Sequence, residues 1–179
     1  MRVLIAIAAL VLAVPASAQA LPDSMTAGPV FPFGRVAEVG SDMPIPADAE
    51  FEVAFDLSDA APEGQANRGL VTLARFYNMH VRAGVPEDRI HIAVVVHGPA
   101  GADLLNAQAY SARNDGAANA NAAIVAALLD KGVRVILCGQ SAAAMGIVRE
   151  DLLPGVEMAL SAMTAHALLQ QQGYTLNPF

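Results

Sequence analysis

The run Ile90–Val96 (IHIAVVV) constrains the fold more than any other stretch. It is apolar and mostly β-branched, without the alternation of a strand wetted on one side. That pattern belongs to a strand covered on both faces, as in a parallel sheet. Val133–Leu137 (VRVIL) is a second such run, and Phe51–Leu57 (FEVAFDL) reads as the first strand. Between them the period changes to that of a helix. Leu70, Leu73, Ala74, Tyr77 and Val81 form one stripe over Asn67–Ala83, and Gly84 stops it. Ala120–Lys131 is a second helix, closed by Gly132. Pro99–Leu105 starts another, Ser141–Val148 is a short Ala-rich one, and Ser161–Gln172 is the last, stopped by Gly173. Val156–Leu160 supplies a short final strand. Asn106–Gly116 is polar and is expected as a loop over the site; Tyr174–Phe179 is a tail. Strands alternating with helices at this spacing imply an α/β fold: a mostly parallel sheet with helices on both faces.

The two ends are organised differently. Residues 1–18 open with Arg2, run apolar from Val3 to Val14 and end Ala16-Ser17-Ala18, the pattern of a secretory signal peptide. Residues 19–49 form a proline- and glycine-rich arm, which packs on its own domain or on a neighbouring subunit. Residues 50–179 are the α/β domain. The leader and the Ala-rich composition point to the periplasm. The net charge of −7 becomes more acidic once Arg2 is removed with the leader. That balance argues against nucleic acid and anionic membrane as partners. No later apolar run reaches membrane-spanning length, so no membrane association is expected after cleavage.

Cys138 is the only cysteine. An exported chain with one cysteine has no internal disulfide, so the thiol is inert, paired between chains, or reactive. It stands where the Val133–Leu137 strand ends, and Ser141 is expected to cap the helix that follows. A thiol beside a helix start has its thiolate favoured. Of four histidines, His97 alone ends a buried strand as Cys138 does, so neighbouring strands would bring the two to one rim. There it would favour or generate the thiolate, or simply satisfy backbone groups at the strand end. His80 and His166 fall on helices and His91 within a strand, with no partner at ligand spacing, so no metal is expected. Asn119 and Asn121 begin the long helix and either cap it or offer an amide to the rim. Nucleotide loops and a nucleophile elbow are absent, and nothing calls for a cofactor.

Several stretches together resemble the DsrE/DsrF-like family of sulfur-relay proteins. They are VVVHGPA (Val94–Ala100), NANA (Asn119–Ala122), VILCGQS (Val135–Ser141), DLLPGVEMALSAMTA (Asp151–Ala165) and QQGY (Gln171–Tyr174). The resemblance implies a three-layer α/β/α fold with flavodoxin-like winding, often assembled as trimers or hexamers. It also implies that Cys138 carries sulfur as a persulfide. Met145 precedes Gly146 where many members have an arginine.

These readings combine into an exported protein that handles sulfane sulfur. Cys138 is the reactive residue, with His97 assisting proton transfer. Gly139, Gln140, Ser141 and Asn121 are expected to contact the substrate. The partners would be a sulfur donor or acceptor protein, or a small sulfur species. Two other readings use the same residues: a non-catalytic oligomeric module binding a small anion or a protein, and a thiol redox sensor.

Overall fold

The computed structural model describes residues 24–178. The leader expected over residues 1–18 lies outside the described residues. Five strands form one wholly parallel sheet: β1 (Phe51–Leu57), β2 (Ile90–Val96), β3 (Arg134–Cys138), β4 (Glu157–Ala159) and β5 (Thr175–Asn177), in the spatial order β4-β3-β2-β1-β5. Five α-helices join them: α1 (Arg68–Arg82), α2 (Ala107–Arg113), α3 (Ala122–Asp130), α4 (Gly139–Met145) and α5 (Ala162–Gln171). Among the described residues, no helix is long and apolar enough to cross a membrane.

The winding explains where the helices go. From β1 to β4 the chain steps in one direction across the sheet. Right-handed crossovers then place α1 and α3 on one face. The step from β4 back to β5 runs the opposite way, so α5 lands on the other face and traverses the sheet. The core divides accordingly. Val53, Phe55, Ile92, Val94, Val135 and Leu137 meet Leu70, Leu73, Val125 and Leu128 in the large cluster. Ala54, Ala93, Val95 and Ile136 meet Ala165 and Leu169 of α5 in the small one. Small residues at Ala54 and Ala93 let the single helix lie close to the sheet.

Four local expectations are corrected. Asn106–Gly116 is not a loop: Asn106 caps α2 by accepting the Ala109 N–H at 2.9 Å, and Arg113 ties the helix to the Met145 and Gly146 carbonyls. Residues Gly98–Leu104 form a 3₁₀ segment rather than the start of an α-helix. The helix expected at Ser141 begins at Gly139, so Cys138 itself occupies the cap position. The tail contains β5, paired with β1 from Val53↔Thr175 to Phe55↔Asn177.

Residues of the arm lie on the chain's own α1. Asn78, fully buried, accepts the Val30 and Phe31 N–H groups at 3.0 Å and donates to the Phe31 and Gly34 carbonyls. Phe31 stacks edge-on against Tyr77 at 5.4 Å, and an antiparallel bridge joins Thr26 to Val36.

Candidate functional site

Cys138 ends β3, and the chain turns directly into α4 on the large-cluster face, where Ala142 is buried. The adjacent strand β4 feeds α5 on the opposite face. Neighbouring strands whose connections leave to opposite sides open a crevice at their carboxyl ends, where open α/β sheets bind ligands. Cys138 lies at that crevice.

The crevice is narrow because Gly139 keeps it so. A Cβ at Gly139 would stand 2.6 Å from the Ala159 carbonyl oxygen and 3.2 Å from that of Leu160. Only glycine lets the start of α4 press against the end of β4. The approach brings the start of α5 to the thiol. Ser161 caps α5 by accepting the Thr164 N–H at 3.0 Å, which leaves the Ala162 N–H facing the sulfur.

Cys138 is buried, at 5 % exposure. Burial acts to raise the thiol pKa, yet the net shift is downward. The Ser141 hydroxyl and the N–H groups of Ser141, Ala162 and Gln140 outweigh burial by favouring the thiolate. The Cys138 side chain makes no capping hydrogen bond at the start of α4, so the effect is that of dipoles converging on the sulfur. The Ser141 oxygen accepts the Gly98 N–H at 2.9 Å, which fixes the hydroxyl and frees its proton to face the sulfur. Replacing Ser141 by Ala should raise the thiol pKa and slow alkylation of Cys138 by roughly tenfold at neutral pH. Iodoacetamide kinetics measure this without ambiguity, because the chain has one cysteine.

The structure gathers Cys138, Gly139, Gln140, Ser141 and His97 at one rim. β2 pairs with β3, with Val96 opposite Leu137, so His97 and Cys138 follow at adjacent positions. Gln140 is exposed and donates to the Leu160 carbonyl at 3.2 Å. Asn121 lies apart from this rim, at 1 % exposure. Its oxygen accepts the Asn67 N–H at 2.7 Å, and its amide donates to Asp103 at 3.2 Å. Asp103 also accepts from the Ala61 N–H and the Asn67 amide, while Asn119 donates to the carbonyls of Asp103 and Leu105. The asparagines thus tie the β1–α1 loop to the start of α3.

Asp56, which the sequence reading passed over, and His166, which it placed on a helix with no partner at ligand spacing, complete the rim. Asp56, near the end of β1, meets His97 Nε2 at 2.9 Å and His166 Nε2, from α5, at 2.7 Å. The available signal was Asp56 itself, an acidic residue near the carboxyl end of a core strand. His166 is 110 residues away in sequence, so no spacing rule could have paired them. Among the described residues, no group of His, Cys, Asp and Glu is placed to hold a metal ion.

Comparison with solved structures matches this architecture. The protein of unknown function MTH1491 from Methanobacterium thermoautotrophicum is similar over 73 % of this chain and all of its own, at 21 % identity and TM-score 0.53. The ychN protein from E. coli is similar over 72 % of this chain and 99 % of its own, at 18 % identity and TM-score 0.53. At these identities the likeness concerns the fold. No curated protein gives a significant match. The family model described as DsrE/DsrF-like matches residues 52–178, from the second residue of β1 to the end of the described chain. The chain belongs to the DsrE/DsrF-like family.

Proposed function

We propose that this protein is an exported sulfur carrier in which Cys138 accepts sulfane sulfur as a persulfide and passes it on. The family suggests sulfur relay in general terms. The observation that supports the specific role is a lone thiol at the sheet's switch-point crevice, with its pKa lowered despite burial. In the step envisaged, the Cys138 thiolate attacks the outer sulfur of a donor persulfide. One S–S bond forms as the donor's S–S bond breaks, and the donor leaves as a thiolate. The Ser141 hydroxyl and the N–H groups at the starts of α4 and α5 would stabilise the negative terminal sulfur, and His97 would handle the thiol proton. Gln140 and the Gly139 backbone border the place where the incoming sulfur would sit. The leader in residues 1–18 supports export to the periplasm, and assembly into a trimer or hexamer is part of the same reading.

Intact mass after incubation with a persulfide-generating donor tests the proposal. Wild type should gain the mass of one sulfur atom, reversibly under reductant, and Cys138→Ser should gain nothing. An equal gain in both proteins would sink the assignment. A second reading, an anion- or partner-binding module with Cys138 as packing, draws on the 5 % exposure of the residue. Under that reading the native thiol resists alkylation at neutral pH.

A further inference from the structure

Asp56 has a role that the thiol's own surroundings do not explain. Its carboxylate accepts from two imidazoles, one on the strand end beside Cys138 and one on the helix above. Burial acts to raise its pKa, but the bonds from His97 and then His166 outweigh it, so the carboxyl is held below its ordinary range. An ionised carboxylate can only accept, so both rings must present Nε2–H to it. In His97 that leaves Nδ1 as the atom able to take a proton. His166 Nδ1 is buried without a partner, so its Nε2 bond to Asp56 is the ring's polar anchor.

Strand geometry puts these groups on one face. Val96 and Leu137 point into the large cluster. His97 continues extended after Val96, so alternation turns it toward α5, as it does Cys138. Their backbones follow the last paired positions of neighbouring strands, and paired strands run about 5 Å apart. Asp56 lies in register with Val95, which packs beneath α5. Of the other titratable groups on this face, Arg134 pairs with Glu157 and interacts with Tyr174, His91 pairs with Glu50, and Glu52 lies beside Gly173 at the opposite end of β1.

We propose that Asp56, braced by His166, is the positioning residue that orients His97 to take the proton of Cys138. The proposal rests on the reading of Cys138 as the sulfur-carrying thiol. The Sγ–H proton passes to His97 Nδ1, the sulfur keeps the electron pair, and the imidazolium formed directs its Nε2–H into the Asp56 carboxylate. No oxidant or reductant takes part.

The test is the pH profile of Cys138 alkylation by iodoacetamide in the purified full chain, for wild type, Asp56→Asn, His97→Gln and the double variant. Asp56→Asn should slow alkylation roughly tenfold at neutral pH and move the inflection upward. The double variant should be no slower than His97→Gln alone, because Asp56 acts through His97. A carboxylate that merely repels the thiolate gives the opposite sign: its removal speeds alkylation. Faster or unchanged alkylation in Asp56→Asn, or effects that multiply in the double variant, overturns the proposal. Should Asp56→Asn fail to fold, His166 supplies the same test. His166→Gln keeps an N–H donor and should retain the wild-type profile, whereas His166→Ala should shift it upward; no shift in His166→Ala overturns the proposal. Sulfur loading is read separately by mass. An Asp56-dependent thiol that takes up no sulfur refutes the relay and leaves the proton path standing. Sulfur uptake with an Asp56-independent thiol does the reverse.

Discussion

Replacing Asp103 by Ala should cost about 3 to 5 kcal/mol of folding stability, because it strands three donors in a dry polar cluster. The carboxylate is 3 % exposed and accepts from the Ala61 N–H at 2.9 Å, the Asn67 amide at 2.6 Å and the Asn121 amide at 3.2 Å. Asn67 and Asn121 are themselves buried, so water cannot readily take the place of the lost oxygens. Asp103→Asn should cost less, since one oxygen remains, but its new N–H₂ group faces donors that it cannot satisfy. Urea denaturation with an unchanged m-value checks the order wild type, Asn, Ala. A loss under about 1 kcal/mol for the Ala variant would show that the cluster is hydrated rather than dry. The expected cost is a large share of the roughly 5–15 kcal/mol that holds a domain folded.

Gly139→Ala is expected to act on stability and chemistry together. The new methyl would meet the Ala159 carbonyl oxygen at 2.6 Å, a backbone atom that cannot swing aside. Overpacking of this kind costs about 3 kcal/mol. Relief requires β4 and the start of α5 to move away from α4. That movement withdraws the Ala162 N–H from Cys138, so the thiol pKa should rise toward its ordinary value and alkylation should slow. Gly40→Ala is the control. Nothing lies within 4 Å of a Cβ there, so its stability should stay within about 0.5 kcal/mol of wild type. A melting curve and an alkylation rate on both variants separate a specific close approach from a general intolerance of added bulk.

The expected helix at Ser141 shows where local reasoning stops. Ser, with its hydroxyl, is a better cap than Cys by intrinsic preference, so the sequence favours a helix starting after Ser141. In the fold, the helix starts three residues earlier because Gly139 can sit against the backbone of β4. Ser141 is thereby moved into the first turn, where its oxygen takes the Gly98 N–H rather than capping. The asparagines show the same limit. Asn119 and Asn121 stand at the helix start, as their positions in the chain suggest. Yet the Asn121 side chain is spent on Asn67 and Asp103, both brought to it by tertiary packing. β5 escaped notice because three residues, two of them exposed, carry no period; their strand character comes from pairing with β1.

Taken alone, the amino-acid sequence determined the alternation of strands and helices, the apolar strands at the centre of the sheet and the placing of Cys138 at a strand end. Those are properties of neighbouring residues, written in periods of two and of 3.6. Only the tertiary structure decided the order β4-β3-β2-β1-β5, and with it the reversal that sends α5 across the opposite face. That reversal joins Ala162 to the thiol and His166 to Asp56. The physical reason is that a carboxylate, an imidazole and a helix N–H lower one another's energy through distances of about 3 Å in space, and spacing along the chain does not encode such distances.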